Sequence, residues 1–266
     1  MGVLNVTPDS FSDGGQWASV DAAVEHALTM VAAGAHWVDV GGESSRPGAA
    51  HLSQVDECAR VIPVISALSE LLTGRALISI DTYKAETARA AVAAGAHIIN
   101  DVSGGLLDPH LLGVAAEMKV PVVLGHLRGT PQNMMDHVHF DDVVGEVTAE
   151  LSGRVAAARA AGCELVWADP GIGFGKRLPE NLALLNHIKD LQEALGVPVM
   201  VGVSRKRFIG DLTGQPASAR GYGTAAAVAL AVAQGVQAVR VHDVAATRDV
   251  VRVALAISGA SNPATG

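Results

Sequence analysis

Short apolar runs rich in β-branched residues alternate with longer Ala-rich stretches along all 266 residues of the chain. The short runs have the length of buried strands, and the long stretches carry apolar residues at helical spacing. A repeated strand and helix is typical of βα units around a parallel sheet. The sequence therefore predicts eight strands, at residues 2–6, 36–41, 77–81, 97–101, 121–126, 165–169, 199–204 and 238–242.

Several predicted helices end at a glycine that leads into the next strand. These are Gly34, Gly95, Gly162 and Gly235, and glycine readily takes the left-handed conformation that terminates a helix. Eight strands and eight helices in a chain of this length predict an α/β fold, the (β/α)8 TIM barrel, with its active site at the carboxyl ends of the strands. A doubly wound open sheet is the alternative, but no Gly-x-Gly-x-x-Gly follows the first strand. No linker divides the chain, so residues 1–266 are predicted to form a single domain.

The composition restricts the partners of this chain. It has 27 acidic against 19 basic residues, a formal charge of -8, whereas nucleic-acid and membrane-surface binders need a basic footprint. We therefore expect small-molecule substrates, with no nucleic acid and no membrane. Cys58 and Cys163 are too few for a disulfide scaffold and too far apart for a zinc site. No apolar stretch has the length of a membrane span or the pattern of a signal segment, so we expect a cytoplasmic protein.

Polar residues occur at the end of every predicted strand, where a barrel assembles its active site. One such residue alone is as readily a turn residue or a helix cap. Because all eight predicted strands end in a polar residue, the pattern favours a barrel mouth lined by ligand-binding side chains. The residues, in chain order, are Asn5, Asp39, Asp81, Asn100, His126, Asp169, Ser204, and the pair Arg240 and His242.

Three of these residues, Asp81, Asn100 and Asp169, offer two carboxylates and a carboxamide to one central cavity. Such groups suit the planar polar edge of an amino-pyrimidinone ring. Lys206 follows the seventh strand at a predicted helix start, where an ammonium and backbone N–H groups favour an anion. The alternative for Lys206 is a basic helix start on the surface.

Arg240 and His242 alternate on the last strand and therefore point to the same side. They are candidates to bind phosphate oxygens. The alternative is a pair satisfied inside the barrel rim.

Residues 5–15 combine a carboxamide, carboxylates, hydroxyls and the Gly14-Gly15 pair, which predicts a mobile loop that closes over a ligand. Asn5 and Asp9 of this segment offer oxygen ligands, but the chain has no His-Glu-x-x-His motif, no paired cysteines and no dense carboxylate loop. Mg²⁺ delivered with a diphosphate substrate fits better, since it keeps most of its waters. Asn5 is the predicted metal ligand. No Gly-x-Ser-x-Gly context is present, so a covalent intermediate is not indicated.

Eight sequence blocks that span nearly the whole chain occur at residues 5–15, 39–48, 79–82, 100–105, 126–132, 169–176, 204–206 and 240–242. Taken in order, they resemble the dihydropteroate synthases of folate biosynthesis. The first two blocks resemble that family's two mobile loops. Arg207 departs from the family, in which many members have Ser, and Gly125 and Leu127 stand where Met is common.

The resemblance implies a role for each matching residue. The pterin would be held by Asp81, Asn100, Asp169 and Lys206, and the diphosphate by Asn5, Arg240 and His242 with Mg²⁺. The p-aminobenzoate site would be bordered by Ser45, Arg46, Pro47 and Phe11. The candidate catalytic residues are Lys206, Asp81, Arg46, Phe11 and Asp13.

The implied reaction joins p-aminobenzoate to 7,8-dihydropterin-6-ylmethyl diphosphate and releases diphosphate and 7,8-dihydropteroate. It is a substitution at a benzylic-type carbon, in which Mg²⁺ and cations stabilise the leaving group and loop closure excludes water. The resemblance also implies a homodimer and a target of sulfonamides. Two alternatives stay open: a pterin-binding methyltransferase with a cobalamin-bearing partner, and a paralogue that binds pterin without catalysis.

Overall fold

The computed structural model describes residues 1–6, 15–44 and 51–259, with the backbone alone for residues 15–19. It confirms the eight predicted strands, with ends that differ from the prediction by at most two residues. The strands are β1 (Gly2–Asn5), β2 (Trp37–Gly41), β3 (Leu77–Asp81), β4 (Ile98–Asp101), β5 (Val122–Gly125), β6 (Val166–Asp169), β7 (Met200–Gly202) and β8 (Ala238–Arg240).

All strand pairs are parallel and follow chain order, from β1 to β6 in one sheet and from β7 to β8 in a second. Two single bridges join these sheets. Ala168 pairs with Val199, and Gly2 pairs with Val241. The second bridge brings the last strand back to the first, so the sheet closes and the (β/α)8 barrel is confirmed.

The described part of the chain contains ten α-helices instead of the predicted eight. They are α1 (Gly15–Ala32), α2 (Gln54–Leu71), α3 (Ala85–Ala93), α4 (Leu111–Met118), α5 (Val143–Ala160), α6 (Leu178–Asn186), α7 (Ile188–Leu195), α8 (Arg207–Thr213), α9 (Gly221–Ala233) and α10 (Val244–Ile257).

The two additional helices arise where the backbone leaves helical geometry inside a connection. His187, with φ of -119° and ψ of 26°, separates α6 from α7. Gly214 ends α8 in the left-handed conformation with φ of 70°, and Pro216 follows before α9 begins. The four glycines predicted to end helices have φ between 88° and 113°, which confirms that part of the pattern.

The interior of the barrel changes from apolar to polar over one two-residue step along the strands. Its lower end contains Ile98, Val123 and Met200, packed with the edge-to-face pair Trp37 and Trp167. Since side chains alternate across a strand, the residues two positions later face the same interior. On β2, β4 and β6 these are Asp39, Asn100 and Asp169. The strand period therefore places polar groups above an apolar base.

The main core lies between the outer faces of the strands and the helices, where Val38, Val40, Ile78 and Ile80 are fully buried. Within the described ranges, no helix combines the length and apolar character that a bilayer span needs.

Candidate active site

A cavity opens at the carboxyl ends of the strands. Four residues predicted from the sequence line it together: Asp81, Asn100, Asp169 and Arg240. The other lining residues are Val102, Gly125, Gly171 and Phe174.

Arg240 lies inside the barrel between two acids. Its Nε donates to Asp39 Oδ2 at 2.6 Å, and its Nη2 donates to Asp81 Oδ2 at 2.6 Å. Asn100 Nδ2 donates to the same oxygen of Asp39 at 3.1 Å. Despite its burial, Asp39 and Asp81 raise the pKa of Arg240 above its ordinary value. This arrangement matches the interpretation of an arginine satisfied inside the barrel rim.

The cavity carboxyl groups hold protons more strongly than ordinary acids. Burial raises the pKa of Asp81 to about 7, with Arg240 opposing the shift and Asp39 adding to it. Burial likewise raises the pKa of Asp169, although Lys206 and a 2.7 Å hydrogen bond from Gly171 N oppose that change. Asp81 therefore lies close to a change of charge at neutral pH.

Lys206 precedes the first residue of α8, and its side chain turns toward the loop after β6. Its Nζ donates to the carbonyl oxygen of Ile172 and lies 4.0 Å from the centre of the Phe174 ring. Burial lowers its pKa to about 8, while Asp169 opposes the shift. The contacts with Ile172 and Phe174 argue against the interpretation of a purely surface lysine.

His126 does not contribute to the mouth, and the expectation that all eight strand-end residues do so is wrong. Its ring is fully buried, and Nε2 donates to Glu150 Oε2 at 3.0 Å on α5. The reason is the strand period: Gly125 faces the cavity, so the next residue points outward to the helices. Asp39 likewise lies beneath the cavity and does not line it.

Comparison with known proteins identifies the family of this chain. The family model described as pterin binding enzyme matches residues 1–242. This chain belongs to that family. Dihydropteroate synthase from Synechocystis is 46% identical over 260 residues, which cover 97% of this chain and 89% of the relative.

Solved dihydropteroate synthases have the same fold. The Xanthomonas albilineans enzyme with 4-aminobenzoic acid superposes with a TM-score of 0.90 at 48% identity, covering 98% of this chain and 93% of that one. The same enzyme in complex with 7,8-dihydropteroate gives 0.86 at 45% identity, covering 98% and 94%. The resemblance to the dihydropteroate synthases is thus confirmed, and the chain is a transferase of this type.

Sequence reasoning on this pterin-binding enzyme missed the apolar and glycine residues of the cavity. The available signal was the run Gly171-Ile172-Gly173-Phe174-Gly175, in which alternate glycines have φ of 69°, 80° and 59°. A Cβ at position 171 would lie 1.9 Å from the carbonyl oxygen of His126. A Cβ at Gly125 would lie 2.6 Å from the Val102 oxygen, so the backbone itself forms these walls.

The remaining predicted residues are described only in part. Asn5 is exposed at the end of β1. His242 Nδ1 lies 3.0 Å from Ser204 Oγ, beside the end of β8. No group of three or more His, Cys, Asp or Glu residues suited to a metal occurs in the described ranges. Five predicted residues lie outside the described residues, namely Phe11, Asp13, Ser45, Arg46 and Pro47.

Proposed function

We propose that this chain condenses 7,8-dihydropterin-6-ylmethyl diphosphate with p-aminobenzoate to give 7,8-dihydropteroate and diphosphate. The observation that carries the proposal is the convergence of Asp81, Asn100 and Asp169 on one cavity with an aromatic wall, Phe174. The similar Xanthomonas albilineans enzyme has been solved with 4-aminobenzoic acid and in complex with 7,8-dihydropteroate.

The cavity suits a pterin because its polar groups complement a ring edge that both donates and accepts hydrogen bonds. Asp169 and Asp81 would accept from ring N–H groups, and the Asn100 carboxamide can serve either role. Lys206 would donate to a ring acceptor. Phe174 would pack against the flat face of the ring, where aromatic contact adds to apolar burial.

The diphosphate would lie above the pterin, near the end of β8. Since Arg240 is engaged by Asp39 and Asp81, we assign it to charge balance beneath the substrate and His242 to the phosphate oxygens. Asn5 would supply its carboxamide oxygen to Mg²⁺, which suits an ion that keeps most of its waters. When bound, Mg²⁺ would stabilise the negative charge of the departing diphosphate.

The p-aminobenzoate would bind between the two predicted loops, bordered by Phe11, Ser45, Arg46 and Pro47. A hydrogen bond links the described residues on the two sides of residues 45–50. Glu43 Oε1 accepts from Leu52 N at 3.1 Å, and the Glu43 carboxylate also pairs with Lys84. Sulfonamides would compete for this site because they present an aryl amine as p-aminobenzoate does.

We also propose that the enzyme acts as a cytoplasmic homodimer through α9 and α10, which pack against each other. Large apolar side chains remain exposed on this pair of helices: Tyr222 is 95% exposed, Leu230 67%, Val253 59% and Ile257 82%. Exposed apolar surface of this kind marks an interaction site. A second copy of the chain would cover it.

The test is formation of dihydropteroate together with release of diphosphate. Both should require p-aminobenzoate and the dihydropterin diphosphate, and both should stop in excess chelator and return with added Mg²⁺. Diphosphate release at the same rate with and without p-aminobenzoate would contradict a condensation. Pterin binding without product would instead favour the non-catalytic paralogue, and methyl transfer to a cobalamin protein would favour the methyltransferase.

A further inference from the structure

Lys176 lies in the loop between β6 and α6, beside the cavity but not in its lining. The residue is only 5% exposed. Its Nζ donates to His126 Nδ1 at 2.9 Å and to the Phe174 carbonyl oxygen at 3.0 Å. The carbonyl oxygens of Gly171 and His126 lie at 3.2 and 3.3 Å. One buried ammonium thus links the end of β5 to the loop after β6.

The linked loop forms one side of the candidate pterin cavity. Gly171 and Phe174 both line the cavity, and both have carbonyl oxygens bound to Lys176. Without Lys176, these two oxygens, one buried and one partly buried, would lose a donor, which costs free energy unless the loop moves or water enters. The position of the Phe174 ring therefore depends on an interaction made by its own backbone with Lys176.

His126 completes the connection on the outer side. Since Nδ1 accepts from Lys176, the ring carries its proton on Nε2 and donates it to Glu150. Burial, followed by the charges of Lys176, Arg154 and Arg128, lowers the pKa of His126 and keeps the ring neutral. The imidazole is thus fixed between α5 and the loop, which gives this histidine a role outside the mouth.

The outer side of the same loop is held by a different residue. Asn181 on α6 accepts from Gly173 N at 2.6 Å and donates to the carbonyl oxygens of Lys176 and Arg177. This contact restrains the segment around Gly173, whereas Lys176 restrains the two residues that face the cavity.

We propose that Lys176 is a positioning residue for the pterin, acting through the carbonyl oxygens of Gly171 and Phe174 without contact with the substrate. This inference rests on the proposed function, since it takes the cavity as the pterin site. It predicts that loss of the ammonium weakens pterin binding, while the affinity of the assembled enzyme for p-aminobenzoate changes little.

The test compares Lys176→Met with Lys84→Met, which removes another buried lysine, one that pairs with Glu43 and Glu57 and does not line the cavity. Dihydropterin-6-ylmethyl diphosphate with Mg²⁺ is titrated calorimetrically into the intact protein and both variants, without p-aminobenzoate. The dissociation constant should rise by about tenfold in Lys176→Met, because two cavity carbonyl groups lose their donor. It should stay within about twofold in Lys84→Met, because no cavity group changes partner.

Lys176→Gln supplies a second variant, because its amide retains two N–H donors. It should recover part of the affinity lost in Lys176→Met. The turnover number at saturating pterin should return closer to the wild-type value than the pterin KM does. Equal affinities in the wild-type chain and Lys176→Met would overturn the inference, as would equal losses in the two methionine variants. If Lys176→Met does not fold, Lys176→Gln alone decides: its amide has two donors where an ammonium has three, so an affinity equal to that of the wild-type chain overturns the inference. Failure of the wild-type chain to bind the pterin would instead refute the proposed function.

Discussion

Asp39 accepts a 2.6 Å hydrogen bond from Nε of Arg240, although 201 residues separate the two in the chain. The same guanidinium donates to Asp81, so one cation balances acids from β2 and β3. Removal of that cation would leave buried carboxyl groups without a partner beneath the substrate cavity.

Arg240→Met should therefore destabilise the fold strongly. Breaking a buried ion pair by removal of one partner costs about 3–5 kcal/mol of unfolding free energy. The measurement is urea unfolding followed by circular dichroism. Arg89→Met is the matched control, since Arg89 pairs with Glu117 at the surface and exposed pairs contribute about 0–1 kcal/mol. A similar loss in the two variants would show that the interior pair has no special contribution.

Asp169→Ala and Asp81→Ala should each weaken pterin binding by about 2–4 kcal/mol, because ring N–H donors would be left unpaired in a buried site. Calorimetry with the dihydropterin diphosphate measures this loss. Asp169 gives the cleaner result, since Asp81 also pairs with Arg240. Asp141→Ala, at a side chain that is 96% exposed, is the control. Unchanged affinity in both cavity variants would refute the assignment.

The stability of the protein should rise with pH in the weakly alkaline range, and Lys176 should account for part of that rise. Burial lowers the pKa of Lys176 to about 7, against an ordinary value of 10.5; Asp169 and Glu150 oppose the shift, and Lys206 and Arg154 add to it. Between these values the unfolded chain binds more protons than the folded one, so the free energy of unfolding increases with pH.

Replacement by Met should remove this contribution, which is at most about 1.4 kcal/mol per pH unit for one proton. The measurement is the slope of unfolding free energy between about pH 7.5 and 9.5 for Lys176→Met and the wild-type chain. Lys84→Met should keep the wild-type slope, because hydrogen bonds to Glu43 and Glu57 raise the pKa of Lys84 despite its burial. A Lys176→Met slope equal to that of the wild-type chain would mean that Lys176 is charged in the fold throughout this range.

Leu230→Arg should convert the proposed homodimer to a monomer, because a charge would replace an exposed apolar side chain on α9, within the proposed interface. Sedimentation velocity at micromolar concentration measures the change. Val55→Arg is the control, since Val55 is 75% exposed on α2. A wild-type chain that sediments as a monomer would show that this surface has another partner or none.

The features that could be predicted are those that follow from the spacing of apolar and polar residues along the chain. Eight strands, and the inward direction of Asp81, Asn100 and Asp169, follow from the alternation of apolar and polar residues. The same alternation also explains why His126 was misassigned: it comes one residue after Gly125 and so points away from the cavity. The misassigned residue lay at a strand end, where boundaries are least certain.

Contacts between distant segments could not be predicted from period. The sequence shows that Arg240 points inward, but not that Asp39 and Asp81 lie within reach of its two nitrogens. Phe174 belongs to a loop, whose path depends on glycine conformation and on the buried contacts of Lys176. Such positions are determined by tertiary packing and need coordinates.

Trp37 and Trp167 pack at the lower end of the barrel, with ring centres 5.1 Å apart. This pair limits the routes by which substrates can enter and products can leave. Because side chains fill that end, we expect substrates to enter and products to leave through the same opening at the carboxyl ends of the strands. Under the proposed function, a pterin bound against Asp169 would lie deeper than p-aminobenzoate. We therefore expect the pterin to bind first, and the pterin part of the product to leave only after the benzoate part has moved out.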